Sequence, residues 1–222
     1  MDRGGDLPFL ARWVSVRRVS DAEAPLQPRR PGGSADQVAC FGCGAHVQST
    51  DGPTNANIGG SPGCQAVYEK VRSRGMGDPR YAEFQQLAML TYSAQHPAVT
   101  KHGSTQSVAP QLIGLCALLE RGLPVSVAIR AVGHAVKSRD SFEHLSQPES
   151  SGELTVLHVR DATTLQEHIR RVREWSSSVW NAWSPHHPVI RKWTAEAIRR
   201  VQPPKAAAPH STRTGTRPVN NL

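Results

Sequence analysis

Three cysteines and a histidine carry the clearest chemistry in the sequence. Cys40 and Cys43 stand in Cys40-Phe41-Gly42-Cys43-Gly44-Ala45, and twenty residues separate Cys43 from Cys64, which closes the run Ile58-Gly59-Gly60-Ser61-Pro62-Gly63-Cys64. Two thiolates with two residues between them are half of a tetrahedral zinc site, because a tight turn lets both sulfurs reach one ion while glycines take the positive-φ positions. A third Cys in a Gly/Pro loop extends the set to three. His96 is the expected fourth ligand: it ends a helix just before Pro97, where its ring can leave the core face and approach the cysteines. His46, three residues after Cys43, is a tighter fit. His186 and His187 are alternative ligands if the Ser184-Pro185-His186-His187-Pro188 break folds over the cysteine segment. Cys116 lies among leucines and reads as core packing.

A second constellation competes with the first. His96, His168 and His187 could meet inside a helical bundle as a three-His site with an open position, where zinc would lower the pKa of bound water toward about 7. That arrangement is the one expected of a metal-dependent hydrolase or transferase. Against it, a histidine on an apolar helix face is ordinarily a hydrogen-bonded core residue. The C-x-x-C pair lacks the βαβ setting of a redox motif. The Gly52–Gly63 run lacks the Lys and the strand–loop–helix order of a phosphate-binding loop, so it reads as packing around a metal. Trp175, Trp180, Trp183 and Trp193 recur at helical spacing and read as core.

The elements that must position these residues are mostly helical. The pattern predicts a first helix over 65–73, closed by Gly75-Met76-Gly77, and a second over 80–96 capped by Asp78 with Pro79 in its first turn. A central buried helix is expected over 107–121, stopped by Gly122. A fourth begins at Pro124, with Val125, Ala128, Ile129, Val132 and Val136 in one stripe and His134 on the wet side. Leu154–Val159 is expected to be mostly coil. The helix over 161–183 is the clearest, with Leu165, His168, Ile169, Val172, Trp175, Val179, Trp180 and Trp183 on one face. A last helix runs through Ile190, Trp193, Ala197 and Val201. The fold class is therefore mainly α, a helical bundle carrying a small N-terminal zinc-knuckle-like segment at 40–64.

Composition bounds the rest. The chain has 222 residues, 38% hydrophobic content and a formal charge of +8. Residues 1–35 carry six Arg against four acidic residues and are rich in Pro and Gly, while 203–222 hold Lys205, Arg213 and Arg217 with no acidic residue. Both read as disordered arms flanking a single domain at 36–202, and the stretch over Leu7–Val19 as at most a short amphipathic helix. With only +3 left for the folded part, nucleic acid is expected at most through the basic tails. No apolar run approaches the roughly 18 to 20 residues of a membrane span, and the N-terminus lacks the order of a secretory signal, so a cytoplasmic protein with reduced thiols is expected.

The chain resembles a family of short bacterial proteins known only as a domain of unknown function. The resemblance rests on Cys40-x-x-Cys43-Gly44-Ala45, Gly52-Pro53-Thr54, Ile58-Gly59-x-Ser61-Pro62-Gly63-Cys64, Gln95-His96-Pro97, Gln106-Ser107-Val108-Ala109, Glu167-His168 and Val179-Trp180-x-Ala182-Trp183-x-x-His186-His187, and spans residues 40–198. It implies no established activity. Members usually carry a His where this chain has Asn55, an Asp where it has Leu90 and a His where it has Gln111. If the family is enzymatic, the resemblance implies that this member is impaired.

Overall fold

In the computed structural model, residues 36–55, 57–98, 108–138 and 141–202 are described; the arms expected at 1–35 and 203–222 lie outside them. Among the described residues the architecture is mainly α. A two-stranded antiparallel hairpin, β1 (Gln37–Ala39) and β2 (His46–Gln48), pairs Val38 with Val47 and precedes the helices. Each strand is three residues long, too short for the period-2 alternation that marks a strand in sequence. The cysteine segment is thus a hairpin whose turn holds Cys40 and Cys43.

Helix α1 (Pro62–Gly77) begins earlier and ends later than the pattern predicts. Ser61 is its N-cap, its hydroxyl accepting from the Cys64 N–H, and Pro62 fills the first turn, where a missing N–H costs nothing. Cys64 therefore projects from a helix N-terminus rather than a free loop. Asp78 caps a short 3-10 turn at Pro79–Tyr81, accepting from the Arg80 N–H, and α2 (Ala82–Gln95) follows. The central helix α3 (Ala109–Leu115) passes into a π-helical turn at Cys116–Glu120.

In α4 (Val125–Lys137) the fully buried line is Val127, Ala128, Ala131 and Ala135; the expected Val125, Ile129, Val132 and Val136 are only half-buried, as is His134. Expected coil is a helix at α5 (Val156–Arg160): Thr155 accepts from the Leu157 N–H, and Val156 and Val159 are fully buried where α5 packs on α1. A one-turn helix has no room to display a 3.6-residue period. Thr164 caps α6 (Leu165–Ala182) through the Glu167 N–H, and Glu167 reaches back to the Thr163 N–H in a variant of the capping box. After a 3-10 turn at Ser184–His186, α7 (His187–Val201) is the last helix among the described residues.

Packing follows the apolar faces. Helix α2 lies on α6, and α3 on α4 and α7. Trp175, Trp183, Tyr92, Leu90, Leu112 and Ile190 are among the largest fully buried side chains. Leu90 is therefore core. The interface of α2 and α6 also holds polar pairs, each satisfied: Thr91 Oγ1 meets Ser176 Oγ at 2.7 Å, Trp175 Nε1–H donates to Gln95 Oε1 at 2.9 Å, and Trp183 Nε1–H donates to the Ala94 carbonyl at 3.2 Å. Gln95 Nε2 donates in turn to the carbonyls of Ser151 and Leu154. These bonds fix the last turn of α2, and so the start of the segment at His96. No helix among the described residues is long and apolar enough to cross a membrane.

Candidate metal centre

Three separate elements deliver the four side chains. The hairpin turn is closed by the Gly44 N–H donating to the Cys40 carbonyl at 2.7 Å and the Cys40 N–H donating to the Ala45 carbonyl at 2.8 Å. Gly44 takes φ 72°, where a Cβ would be strained, so Cys40 and Cys43 can face the same way. Gly42 is needed for a different reason: a Cβ there would sit 2.1 Å from the Gly59 carbonyl oxygen and 2.6 Å from His96 Cδ2. The turn thus lies directly against the 58–60 loop and the imidazole. That loop is pinned to the chain leaving α2 by the Gly59 N–H, which donates to the His96 carbonyl at 2.9 Å, and by a bridge between Ile58 and Pro97.

The result is a buried Cys3His group. Cys40, Cys43, Cys64 and His96 each offer one donor atom, and all four atoms lie within 4.8 Å of one another. Cys43 Sγ is 3.8 Å from Cys64 Sγ, and Cys64 Sγ is 3.5 Å from His96 Nε2. A tetrahedral zinc with Zn–S near 2.3 Å and Zn–N near 2.0–2.1 Å requires about 3.8 Å between sulfurs and about 3.6 Å from sulfur to nitrogen. The Cys43–Cys64 and Cys64–His96 distances therefore match two edges of a coordination tetrahedron, and the remaining donor pairs lie within 4.8 Å. Exposure is 2% for Cys40, 8% for Cys43 and 0% for both Cys64 and His96, so the group is closed to solvent. All four cysteines are free thiols.

Hydrogen bonds orient the donors. His96 Nδ1 lies 2.8 Å from the Tyr92 carbonyl, which can only accept, so Nδ1 carries a proton and Nε2, the atom whose lone pair is available to a metal in the neutral ring, faces the sulfurs. The Ser61 N–H donates to Cys40 Sγ at 3.3 Å. Electrostatics explain why a cation suits the cluster. Hydrogen bonding from Cys43 and then Cys64 holds the Cys40 thiol far below its ordinary pKa, while hydrogen bonding with Cys40 and then Cys43, followed by burial, pushes Cys64 far above it. Three buried sulfurs this close compete for ionisation. Burial works to lower the pKa of His96, but hydrogen bonds to Cys40 and Cys43 outweigh it and push the imidazole up to about 9. A divalent ion removes this competition by stabilising all the thiolates at once.

The remaining candidates lie elsewhere. His46 is exposed on β2. Cys116 is buried in the π turn with its thiol 3.8 Å from Glu120 Oε2, and burial pushes its pKa up, as expected of a core thiol. The three-His constellation is not assembled. His168 is buried, as its helix face predicts, but Arg74 Nη1 donates to its Nδ1 at 3.3 Å and Tyr81 packs edge-on at 4.8 Å. Burial, then the Arg74 charge, lowers its pKa to about 4. His187 stacks on Trp180 at 3.9 Å and donates from Nε2 to the Trp180 carbonyl, and His186 donates to the Ser146 carbonyl at 2.9 Å. Each ring is committed to structure rather than to a shared ion.

Sequence reasoning passed over Tyr92. Its ring stacks on Tyr68 with centroids 4.1 Å apart and lies 4.2 Å from the His96 ring. The signal was present: Tyr92 precedes His96 by four residues, one turn away on the same helix face. No curated protein and no solved structure matches the chain. A family described as a family of unknown function (DUF5946) matches over residues 38–184, a span that contains the whole Cys3His group and the α2 and α6 segments that brace it, and the chain belongs to that family.

Proposed function

We propose that this protein is a zinc-binding structural module in which Cys40, Cys43, Cys64 and His96 hold one Zn²⁺ and thereby clamp the N-terminal hairpin to α1 and to the end of α2. The observation that carries this reading is the donor spacing, 3.8 Å between sulfurs and 3.5 Å from sulfur to nitrogen in a buried group, which fits tetrahedral zinc. Three thiolates and a neutral imidazole favour zinc over the harder divalent ions, which prefer oxygen ligands. Four protein donors leave no open position, so the zinc supplies folding energy rather than an activated water. Reduced thiols are in keeping with a cytoplasmic setting. A metal-dependent hydrolase or transferase would need the His168 and His187 rings, which serve other contacts.

The test is metal analysis of purified protein with X-ray absorption at the zinc edge. About one zinc per chain is expected, with three sulfur neighbours near 2.3 Å and one nitrogen near 2.0 Å. Cys43→Ser should lose it. A fully folded, metal-free wild type, or a shell of nitrogen and oxygen with an exchangeable water, would overturn the reading.

A further inference from the structure

The Tyr92 hydroxyl is one of two buried side-chain polar atoms without a hydrogen-bond partner among the described residues; the other, Arg171 Nε, belongs to a guanidinium already bonded to the His158 carbonyl and to Glu167. Tyr92 is 0% exposed, and its hydroxyl oxygen has no hydrogen-bond partner among the described residues. The ring cannot swing away, being held by the Tyr68 stack on one side and the His96 ring on another. The oxygen faces the loop that leads into Cys64: a Cβ on Gly60, next to the Ser61 cap, would come within 2.7 Å of it and 3.4 Å from His96 Cδ2. Cys64 is the sulfur that acts on it most strongly, and a phenol is a neutral O–H donor at neutral pH. A buried donor without an acceptor is costly, and natural cores rarely keep one without a reason.

We propose that the Tyr92 hydroxyl donates to the Cys64 thiolate once a metal is bound, acting as an outer-shell positioning residue. This rests on the metal reading above. A free Cys64 thiol shares protons with its sulfur neighbours; a metal-bound thiolate has given one lone pair to the ion and turns the others outward, providing the acceptor that the hydroxyl lacks. Cys40 already has a donor in the Ser61 N–H. The two outer-shell donors thus serve Cys40 and Cys64, whereas Cys43, the most exposed of the three at 8%, is left as the most electron-rich sulfur and the first to meet electrophiles. The arrangement favours slow metal exchange, since hydrogen bonds to ligands hold them in place and their loss typically lowers metal affinity by about 10- to 100-fold.

The test compares Tyr92→Phe with Tyr68→Phe, which alters the other ring of the same stack. Both proteins are loaded with Co²⁺ for spectroscopy and with Zn²⁺ for transfer to a chelator, with far-UV circular dichroism to verify folding. Removing a hydrogen bond raises the sulfur lone-pair energy, so Tyr92→Phe should move the sulfur-to-cobalt charge-transfer band to lower energy. It should also weaken zinc binding at least about tenfold, while Tyr68→Phe leaves the band in place. A Tyr92→Phe protein with wild-type band position and affinity would overturn the proposal, and so would an equal band shift in Tyr68→Phe. If Tyr92→Phe does not fold, wild-type protein loaded with ¹¹³Cd decides: a slowly exchanging hydroxyl proton correlated to cadmium supports the bond, and a hydroxyl proton without that correlation overturns it. A wild type that binds no metal would sink the underlying metal reading instead, so the two failures are distinguishable.

Discussion

Removing the metal should release the hairpin without melting the helices. The hairpin at 37–48 has little of its own to hold it: Val47 is its one large inward side chain, whereas Val38 is 42% and Phe41 74% exposed. Burying one valine contributes about 2 kcal/mol, and ordering the backbone costs roughly 1–2 kcal/mol per residue. An isolated two-stranded hairpin is marginal in water. A structural zinc would contribute on the order of 10 kcal/mol, enough to set the local stability. In the zinc-bound protein the β1–β2 amides should open only with zinc loss or global unfolding; in Cys43→Ser or chelator-treated protein the opening free energy should fall by at least about 4 kcal/mol, a thousandfold loss of protection. Hydrogen exchange read residue by residue is the assay. The amides of Val38, Val47 and Ser49, the last bonded to the Asp36 carbonyl, should become unprotected, while those of α6, closed around Trp175 and Val172, should change little. If the hairpin amides stay equally protected without metal, the hairpin holds itself and the clamp argument is wrong.

Three further outcomes are expected. Gly42→Ala places a Cβ against the Gly59 carbonyl and His96 Cδ2, so zinc affinity should drop by an order of magnitude or more with helicity intact, measured by competition with a chromophoric chelator. Trp183→Phe leaves the Ala94 carbonyl without its indole donor beside His96; unfolding free energy should fall by about 1–3 kcal/mol and zinc affinity should fall with it, read by denaturant titration and the same competition. His168 has a folded pKa near 4 against an ordinary value of 6.5, so the unfolded chain binds the extra proton between those values. Its contribution is fully present above pH 6.5 and is lost as pH falls toward 4; it amounts to at most about 3 kcal/mol, less where Arg74 is screened by solvent. The difference in pH slope between wild type and His168→Gln, both zinc-loaded, should show it, and equal slopes would count against it.

What could be read in the sequence depended on how many residues carried each signal. Helix α6 has five turns of amphipathic pattern, and its buried face was legible down to His168 and Trp183. The strands and α5 were not, because three to five residues give no period to detect. Within the site, Cys40, Cys43 and Cys64 followed from spacing, and His96 from its place before Pro97. The three-His alternative stayed open in one dimension because helix faces state which residues are buried without stating what they meet. Arg74, from α1, occupies the His168 nitrogen, a contact between residues 94 apart that no local pattern predicts.

The same long-range logic accounts for the distance between the metal group and the Trp-rich stretch of α6. The sulfur donors come from 40–64, yet the position of the imidazole depends on the end of α2, where Trp175 holds Gln95 and Trp183 holds Ala94. A ligand cage with donor spacing good to a few tenths of an ångström needs a rigid support, and a hairpin with one inward valine cannot supply it. The helical bundle does, so the indoles would act on a bound metal through the Gln95 side chain and the Ala94 carbonyl rather than by touching it. On this account a substitution such as Trp175→Phe, which preserves most of the buried area but strands the Gln95 amide oxygen, should loosen the imidazole more than it loosens the bundle. Zinc affinity would then fall further than the parallel loss in unfolding free energy measured on the metal-free protein, and equal losses would mean that the bundle and the site are supported independently.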